Sequence, residues 1–395
     1  MKSLLKGSGY FAIASYITVL FSVIITMVNG KVLTAEDYGI IAISLVFTSM
    51  LESLKQLGFK EYLISKNDID DREAEENNAW TLDLIKSIVL SLVSLLSIPL
   101  MVGIYEEERI ALVIAIVSIM FVVEGITSPK LYLSRKNLQY NIIVKINLIT
   151  SVVYCISTIL LVMYFENYIG VIIGLLCKSF TSVLLSYYFY PVKPKLTLNL
   201  IISKKQFKYG KWILLSGLVY YFTNRFDNFA LSLNVTLTDL GYYGFAFSLV
   251  NGVLGLPIKS VNNALFPILS SNKHDLSKTN VISFIAFFSA LVALIMSWLL
   301  PWVAINLIDE KWYSSKDVIS LLVIAFCINA IKVDGFFLSK NKPEYKFFVE
   351  FIRGMLMLLL CIPFIKWLGI IGAPIALVCA NTASLFVWFY VMKKV

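Results

Sequence analysis

Ionisable and amide side chains placed inside long apolar runs are the residues of this chain whose types and spacing could do chemistry. A charged side chain is costly within a bilayer, so each one kept there calls for a physical reason. Asn224-Arg225-Phe226-Asp227-Asn228 begins around seven residues from one end of an apolar run, about 10 Å deep at the helical rise. Lys178 stands near the middle of the preceding run. Arg353 follows Glu350 at i+3, and Lys86 follows Asp83 at i+3, so each pair shares a helix face. Glu124 and Asn251 fall inside two further runs.

One reading of this set is a hydrated, net-cationic cavity in which Arg225, Lys178, Arg353 and Lys86 attract an anionic substrate. A guanidinium donates in pairs to a phosphate, whereas an ammonium acts as a mobile point charge. Asn224, Asn228 and Asn251 would then offer hydrogen bonds to sugar hydroxyls. The plainer reading makes Glu350–Arg353 and Asp83–Lys86 structural pairs that neutralise one another, or side chains that snorkel to the interface. Asp227 is either a coupling-ion or proton site or the partner of Arg225, with Glu350 and Glu124 as further coupling or charge-balancing carboxylates.

The elements that must carry these residues follow from composition. The chain of 395 residues is 58% hydrophobic and 15% charged, with mean hydropathy +0.80. Soluble domains carry roughly a quarter charged residues, too many for this chain to be one of them. Apolar runs of about twenty residues, the length that crosses the hydrocarbon core, recur throughout. Twelve spans are expected, near 10–29, 38–57, 82–104, 110–128, 141–164, 168–190, 210–232, 241–265, 281–305, 316–338, 346–366 and 369–392. They are too long and too uniformly apolar for alternating barrel strands, so the fold class is an all-α polytopic membrane protein.

Orientation follows from the 34 Lys and Arg residues, 25 of which fall on alternate segments and their flanks when both termini are cytoplasmic. The opposite side holds only Lys31, Arg109, Lys311, Lys316 and Lys366, a strong positive-inside bias. That distribution explains the net charge of +9 without a nucleic-acid partner. The basic segment 191–211, with Pro191, Pro194 and six lysines, divides the chain near its middle. It reads as a cytoplasmic linker and anionic-lipid contact between two six-helix lobes, 1–190 and 212–395, around a central cavity. An internal repeat agrees with that division: at an offset of 204, Leu33, Thr34, Tyr38, Ala42, Ser44, Leu45 and Val46 recur within Leu237–Val250, although common apolar residues can match by chance. A parallel repeat of this kind points to a substrate site between halves and alternating access.

Other features add less. Cys155, Cys177, Cys327, Cys361 and Cys379 are irregularly spaced in apolar segments and read as small hydrophobes, while the single His274 lies in a polar loop. No metal, cofactor or catalytic centre is expected from them. The first apolar stretch is long and has no small-residue cleavage site, so it reads as a retained span. Tyr187–Tyr190, Tyr220–Phe222 and Tyr242-Tyr243 read chiefly as interfacial anchors, with sugar stacking a weaker option for Tyr220 or Tyr221. Pro99, Pro257, Pro267, Pro363 and Pro374 lie in or beside spans as candidate kinks.

With these residues laid out, the chain resembles the polysaccharide-transporter branch of the multidrug/oligosaccharidyl-lipid/polysaccharide flippase superfamily. The resemblance runs through Lys6-Gly7, Val32 to Ile40, Leu57 to Ile64 and Leu133 to Tyr140. It continues in Asn224 to Asp227, Leu240-Gly241-Tyr242-Tyr243, Leu265-Phe266-Pro267-Ile268 and the acidic-Trp loop Asp309-Glu310-Lys311-Trp312. Each motif is short, and the specificity lies in their order around twelve spans. The resemblance implies a flippase of the bacterial inner membrane that moves an undecaprenyl-diphosphate-linked O-antigen, capsule or exopolysaccharide repeat unit from the cytoplasmic to the periplasmic leaflet. Its partners would be that lipid-linked oligosaccharide, the bilayer, and the polysaccharide polymerase and ligase machinery. Two departures stand out: the chain is short for the family, and span one lacks the buried cation that some flippases place there.

Two other readings compete. A multidrug or organic-cation antiporter of a sister branch would want carboxylates in its cavity, whereas the deep charges here lean basic. A membrane glycosyltransferase or ligase would need paired carboxylates or a histidine in a catalytic loop. The outer loops are short, and Glu106-Glu107-Glu108 reads as a solvated turn.

Overall fold

The computed structural model describes residues 2–55, 57–59, 62–63, 72–131, 140–258, 278–333, 336–337 and 342–394. Every regular element among them is helical: α1 Lys2–Val32, α2 Ala35–Lys55, α3 Arg72–Leu96, α4 Ile98–Tyr105, α5 Arg109–Gly125, α6 Tyr140–Phe165 and α7 Ile169–Phe189. The second half holds α8 Leu200–Ser232, α9 Leu237–Val250, α10 Lys278–Trp302, α11 Lys316–Ile331, α12 Pro343–Leu368 and α13 Gly372–Met392. The motifs at 133–139 and 265–268, together with Lys60, Glu61, Ile64, Pro267 and His274, lie outside the described residues.

Eight segments are long and apolar enough to cross a membrane by length and composition, and one of them, Glu344–Met392, contains both α12 and α13. The remaining expected spans fall on α1, on α5 and on α8. Helix α5 is only 17 residues long, and α8 carries four lysines in its first turns. Counted so, the chain has about twelve spanning helices, with α3 and α4 forming one broken span. The exterior is apolar, as lipid requires: Trp367, Leu96, Leu294 and Phe386 all project outward.

Prolines and caps set the helix ends. Pro99 ends α3 and opens α4, because it cannot donate to the preceding turn. Pro374 stands in the first turn of α13, where no helical bond is lost, so it is a start signal and not a kink. Pro301, which the kink reading passed over, leaves the Ser297 carbonyl without its helical donor, and the Ser320 hydroxyl of α11 donates to that carbonyl at 2.8 Å. The π-turns Asn251–Gly255 and Val303–Ile308 lie just before Pro257 and just after Pro301.

The repeat has a different register from the offset of 204. Thr34 and Asp37 cap α2 reciprocally, the Asp37 N–H donating to Thr34 Oγ1 at 3.2 Å and the Thr34 N–H to Asp37 Oδ2 at 3.0 Å. Thr236 caps α9 in the same way, accepting from the Asp239 N–H at 3.2 Å. Each box is followed by a glycine, Gly39 or Gly241, which places equivalent residues 202 apart. The glycines confirm it by reciprocal contact: a Cβ on Gly39 would stand 2.2 Å from the Leu237 carbonyl oxygen, and one on Gly241 would stand 1.7 Å from that of Ala35. The two contacts exchange under the offset of 202. Caps and close backbone approach define equivalence here, whereas the identities at 204 were among the commonest membrane residues.

Packing divides the chain into two compact units, Met1–Ala14 with Ile43–Tyr221 and Ser15–Ala42 with Phe222–Val395. The cuts fall inside α1, α2 and α8, while the segment 191–211 lies wholly in the first unit. Within the second unit, Trp312 is wholly buried, stacked 3.9 Å from the Phe245 ring and donating from Nε1 to the Gly30 carbonyl at 2.8 Å. The acidic-Trp loop thus fixes the end of α1 against α9.

Candidate functional site

In the second unit the site is built on α8. A helix places residues 224, 227 and 228 on one face and 225 about a quarter-turn away. Asp227 is 2% exposed and has its own donors: the Tyr243 hydroxyl reaches Oδ2 at 2.5 Å, and the Asn228 amide reaches Oδ1 at 3.2 Å. Among the described residues Arg225 is in no ion pair, so it is not the counter-ion of Asp227. The Arg225 guanidinium lies 5.4 Å from the Phe247 ring centroid, a cation–π contact.

Arg353 reaches α8 from α12. Its Nη2 donates to Asn224 Oδ1 at 2.5 Å, and its Nε stands 3.0 Å from Glu350 Oε2. The other Glu350 oxygen is 4.0 Å from the Lys332 ammonium, which donates to the Ser384 hydroxyl at 2.8 Å. Arg353, Glu350 and Lys332 therefore join α8, α11, α12 and α13 in one polar chain. Asn251 is half-buried at the start of the π-turn, apart from these contacts.

In the first unit the carboxylates are likewise matched. Lys86 pairs with Asp83 along α3, and its ammonium also lies 5.4 Å from the Phe59 ring. Glu124 pairs with Lys55 of α2 and accepts from the Ser179 hydroxyl at 2.9 Å. Lys178, one residue along α7, points elsewhere: it is exposed, with its ammonium 5.3 Å from the Tyr154 ring, and is in no ion pair among the described residues. The acidic cluster Glu106–Glu108 is a turn, Glu107 binding Arg109 at 2.7 Å, and that bond holds the Glu107 carboxyl below the usual carboxylate range.

Pairing thus divides the four cations singled out in the sequence. Lys86 and Arg353 are tied to carboxylates three residues before them, while Lys178 and Arg225 each rest on an aromatic ring. Three participants were missed. Lys55 and Lys332 were counted only as basic flanks, and Tyr243 was placed among interfacial anchors although it is wholly buried. The signal available for the lysines was that an intramembrane Glu needs a partner, but the sequence could not say on which helix. Tyr221 is buried too, its hydroxyl donating to the Val46 carbonyl at 3.2 Å, which removes it as a stacking surface. The Tyr220 side chain lies outside the described residues. All five cysteines are free thiols, and no group of three or more metal-ligating side chains occurs among the described residues.

These long apolar helices with an apolar exterior define an all-α polytopic membrane protein. Its fold is shared with the lipid II flippase MurJ in an inward closed conformation, at a TM-score of 0.80 and 15% identity over 97% of this chain and 87% of that one. It is shared also with an inward-facing multidrug resistance MATE transporter of the MOP superfamily, at a TM-score of 0.65 and 15% identity over 97% of each chain.

The chain belongs to the polysaccharide biosynthesis protein family, which it matches over residues 30–305. Among its relatives, the teichuronic acid biosynthesis protein TuaB of Bacillus subtilis is 20% identical, over 90% of this chain and 75% of that protein. The lipopolysaccharide biosynthesis protein WzxC of Escherichia coli K12 is also 20% identical, over 99% of this chain and 81% of that protein.

Proposed function

We propose that the protein is a flippase that carries an undecaprenyl-diphosphate-linked oligosaccharide repeat unit from the cytoplasmic to the periplasmic leaflet of a bacterial inner membrane by alternating access. The observation that carries this reading is the pair of cations that have no carboxylate partner among the described residues, Lys178 in the first unit and Arg225 in the second. A cation kept in a span without a counter-ion favours an anionic ligand, and a diphosphate suits both an ammonium and a guanidinium. Family membership and the names of TuaB and WzxC support a polysaccharide precursor as the cargo. Arg353 and Lys86 act first as members of structural pairs and only secondarily as substrate contacts. Asn224 positions Arg353, while Asn228 and Asn251 remain candidates for hydroxyl recognition. Asp227, Glu350 and Glu124 serve charge balance, with Asp227 the candidate coupling group. In this reading the halves 1–190 and 212–395 are the lobes of the transport cycle, both termini are cytoplasmic, and the polymerase and ligase act downstream.

The test is complementation of a deletion strain. Lipid-linked repeat units should accumulate on the cytoplasmic leaflet, and wild type should relieve the accumulation. Arg225→Ala and Lys178→Ala, at equal membrane abundance, should each restore less than about a tenth of export, a loss of about 1.4 kcal/mol or more in transport free energy. Unchanged surface polysaccharide with increased sensitivity to cationic drugs would instead support the antiporter alternative.

A further inference from the structure

The basic segment before α8 has a geometry that the transport reading does not use. Between α7 and α8, three alternate amides of the connecting chain are held by buried side chains of α3. The Lys195 N–H donates to Asn77 Oδ1 at 3.1 Å, the Thr197 N–H to Thr81 Oγ1 at 3.0 Å, and the Asn199 N–H to Asn78 Oδ1 at 2.7 Å. At its start, the Ser128 hydroxyl donates to the Tyr190 carbonyl at 3.0 Å. Gln206 and Ser203, both buried, bind the same Asn78 from α8 at 3.0 and 3.2 Å. This is a fixed surface.

What it presents is both aliphatic and basic. Leu196, Leu198, Leu200 and Ile201 are 72%, 56%, 78% and 71% exposed. Lys193, Lys195, Lys204, Lys205 and Lys208 are exposed around them. Among the described residues the neighbouring carboxylates are those at the start of α3, where Glu73 stands 3.6 Å from the Lys195 ammonium and Glu75 and Glu76 follow it, fewer than the five lysines. The place of this surface is set by helix length. Helix α8 has 33 residues, about 50 Å, against a hydrocarbon core of about 30 Å. The excess belongs to its lysine-bearing start, which Ser203 and Gln206 bind to Asn78 at the polar start of α3, and which therefore stands at the membrane interface.

We propose that 193–208 is a docking face for anionic phospholipid headgroups of the surrounding bilayer. Leu196, Leu198, Leu200 and Ile201 sit at the headgroup–acyl boundary, and the five lysines lie on the phosphates. Aliphatic side chains this exposed have no use in water, and lysines flanking them at interfacial depth match a negatively charged leaflet. Because the surface is pinned to α3, the docked lipid layer sets the depth of α3, α7 and α8 together. The inference does not depend on what the protein transports.

The full-length protein would be placed in nanodiscs of phosphatidylcholine with or without phosphatidylglycerol. A solvatochromic label on Leu198→Cys, in a chain whose five native cysteines are replaced, should shift to the blue and be quenched by lipid-borne spin label when phosphatidylglycerol is present. Native mass spectrometry of the chain with its own cysteines should show retained phosphatidylglycerol over phosphatidylcholine by about fivefold or more. That preference should vanish when Lys193, Lys195, Lys204, Lys205 and Lys208 are all changed to Gln, exposed positions at which the helical circular dichroism should not change. A label that stays open to aqueous iodide in both compositions overturns the proposal. So does equal phosphatidylglycerol retention by wild type and the Gln variant, which would leave apolar seating without headgroup recognition.

Discussion

Asp227 shows how a carboxylate is kept inside this protein. Buried as it is, it needs donors, and Tyr243 and Asn228 supply one to each oxygen. Changing Tyr243 to Phe removes a donor and leaves an orphaned acceptor, so the purified protein should lose about 1–3 kcal/mol of stability. Asp227→Asn, which removes the charge that demands those donors, should cost less, and thermal denaturation in one detergent would rank the two. The opposite ranking would mean that the carboxylate has a further partner worth more than Tyr243. The sequence singled out Asp227 as either a coupling site or the partner of Arg225, and the second option named Arg225 because neighbours in sequence were the only partners it could show. Tyr243 lies sixteen positions away on another helix, as an ordinary tyrosine beside Tyr242. The i+3 pairs Asp83–Lys86 and Glu350–Arg353 were legible for the converse reason, since one helix carries both members.

At the scale of elements, the reciprocal glycine contact is the sharpest constraint. Each glycine lies against the first-turn carbonyl of the opposing helix, so Gly39→Val and Gly241→Val should damage the fold to similar degrees, by several kcal/mol each. Both should reduce the yield of monodisperse protein, which size-exclusion chromatography would measure. A large effect at one position alone would break the equivalence of the two repeats. Ser320→Ala is a milder test of the same kind: it strips the donor from the carbonyl that Pro301 leaves orphaned, and about 1–2 kcal/mol should be lost. The repeat was visible in the sequence, but its register was not. Leu, Ala, Ser and Val fill membrane helices and align at many offsets, whereas the Thr-x-x-Asp-x-Gly pattern is set by capping and close approach.

For the whole molecule, hydropathy and length were sufficient to read an all-α polytopic chain of about twelve spans, because lipid leaves the backbone little choice but to form helices. The motif order also led to the right family. What hydropathy does not carry is which charges meet, since helices distant in sequence touch through single side chains. Lys55 with Glu124 and Lys332 with Glu350 are both of that kind. The packing units likewise cut through α1, α2 and α8, because packing follows contacts and takes no account of the midpoint of the chain. Lys178 and Arg225 belong to different units, and transport of a diphosphate-linked cargo should need both. The most direct measurement is leaflet transfer in proteoliposomes holding only the purified chain and a fluorescent, diphosphate-linked oligosaccharide lipid, read by a reductant that cannot cross the bilayer. The account predicts that label moves between leaflets with wild type, at a rate about tenfold lower with Arg225→Ala or Lys178→Ala. Transfer no faster than in protein-free vesicles, or equally fast with both variants, would contradict it.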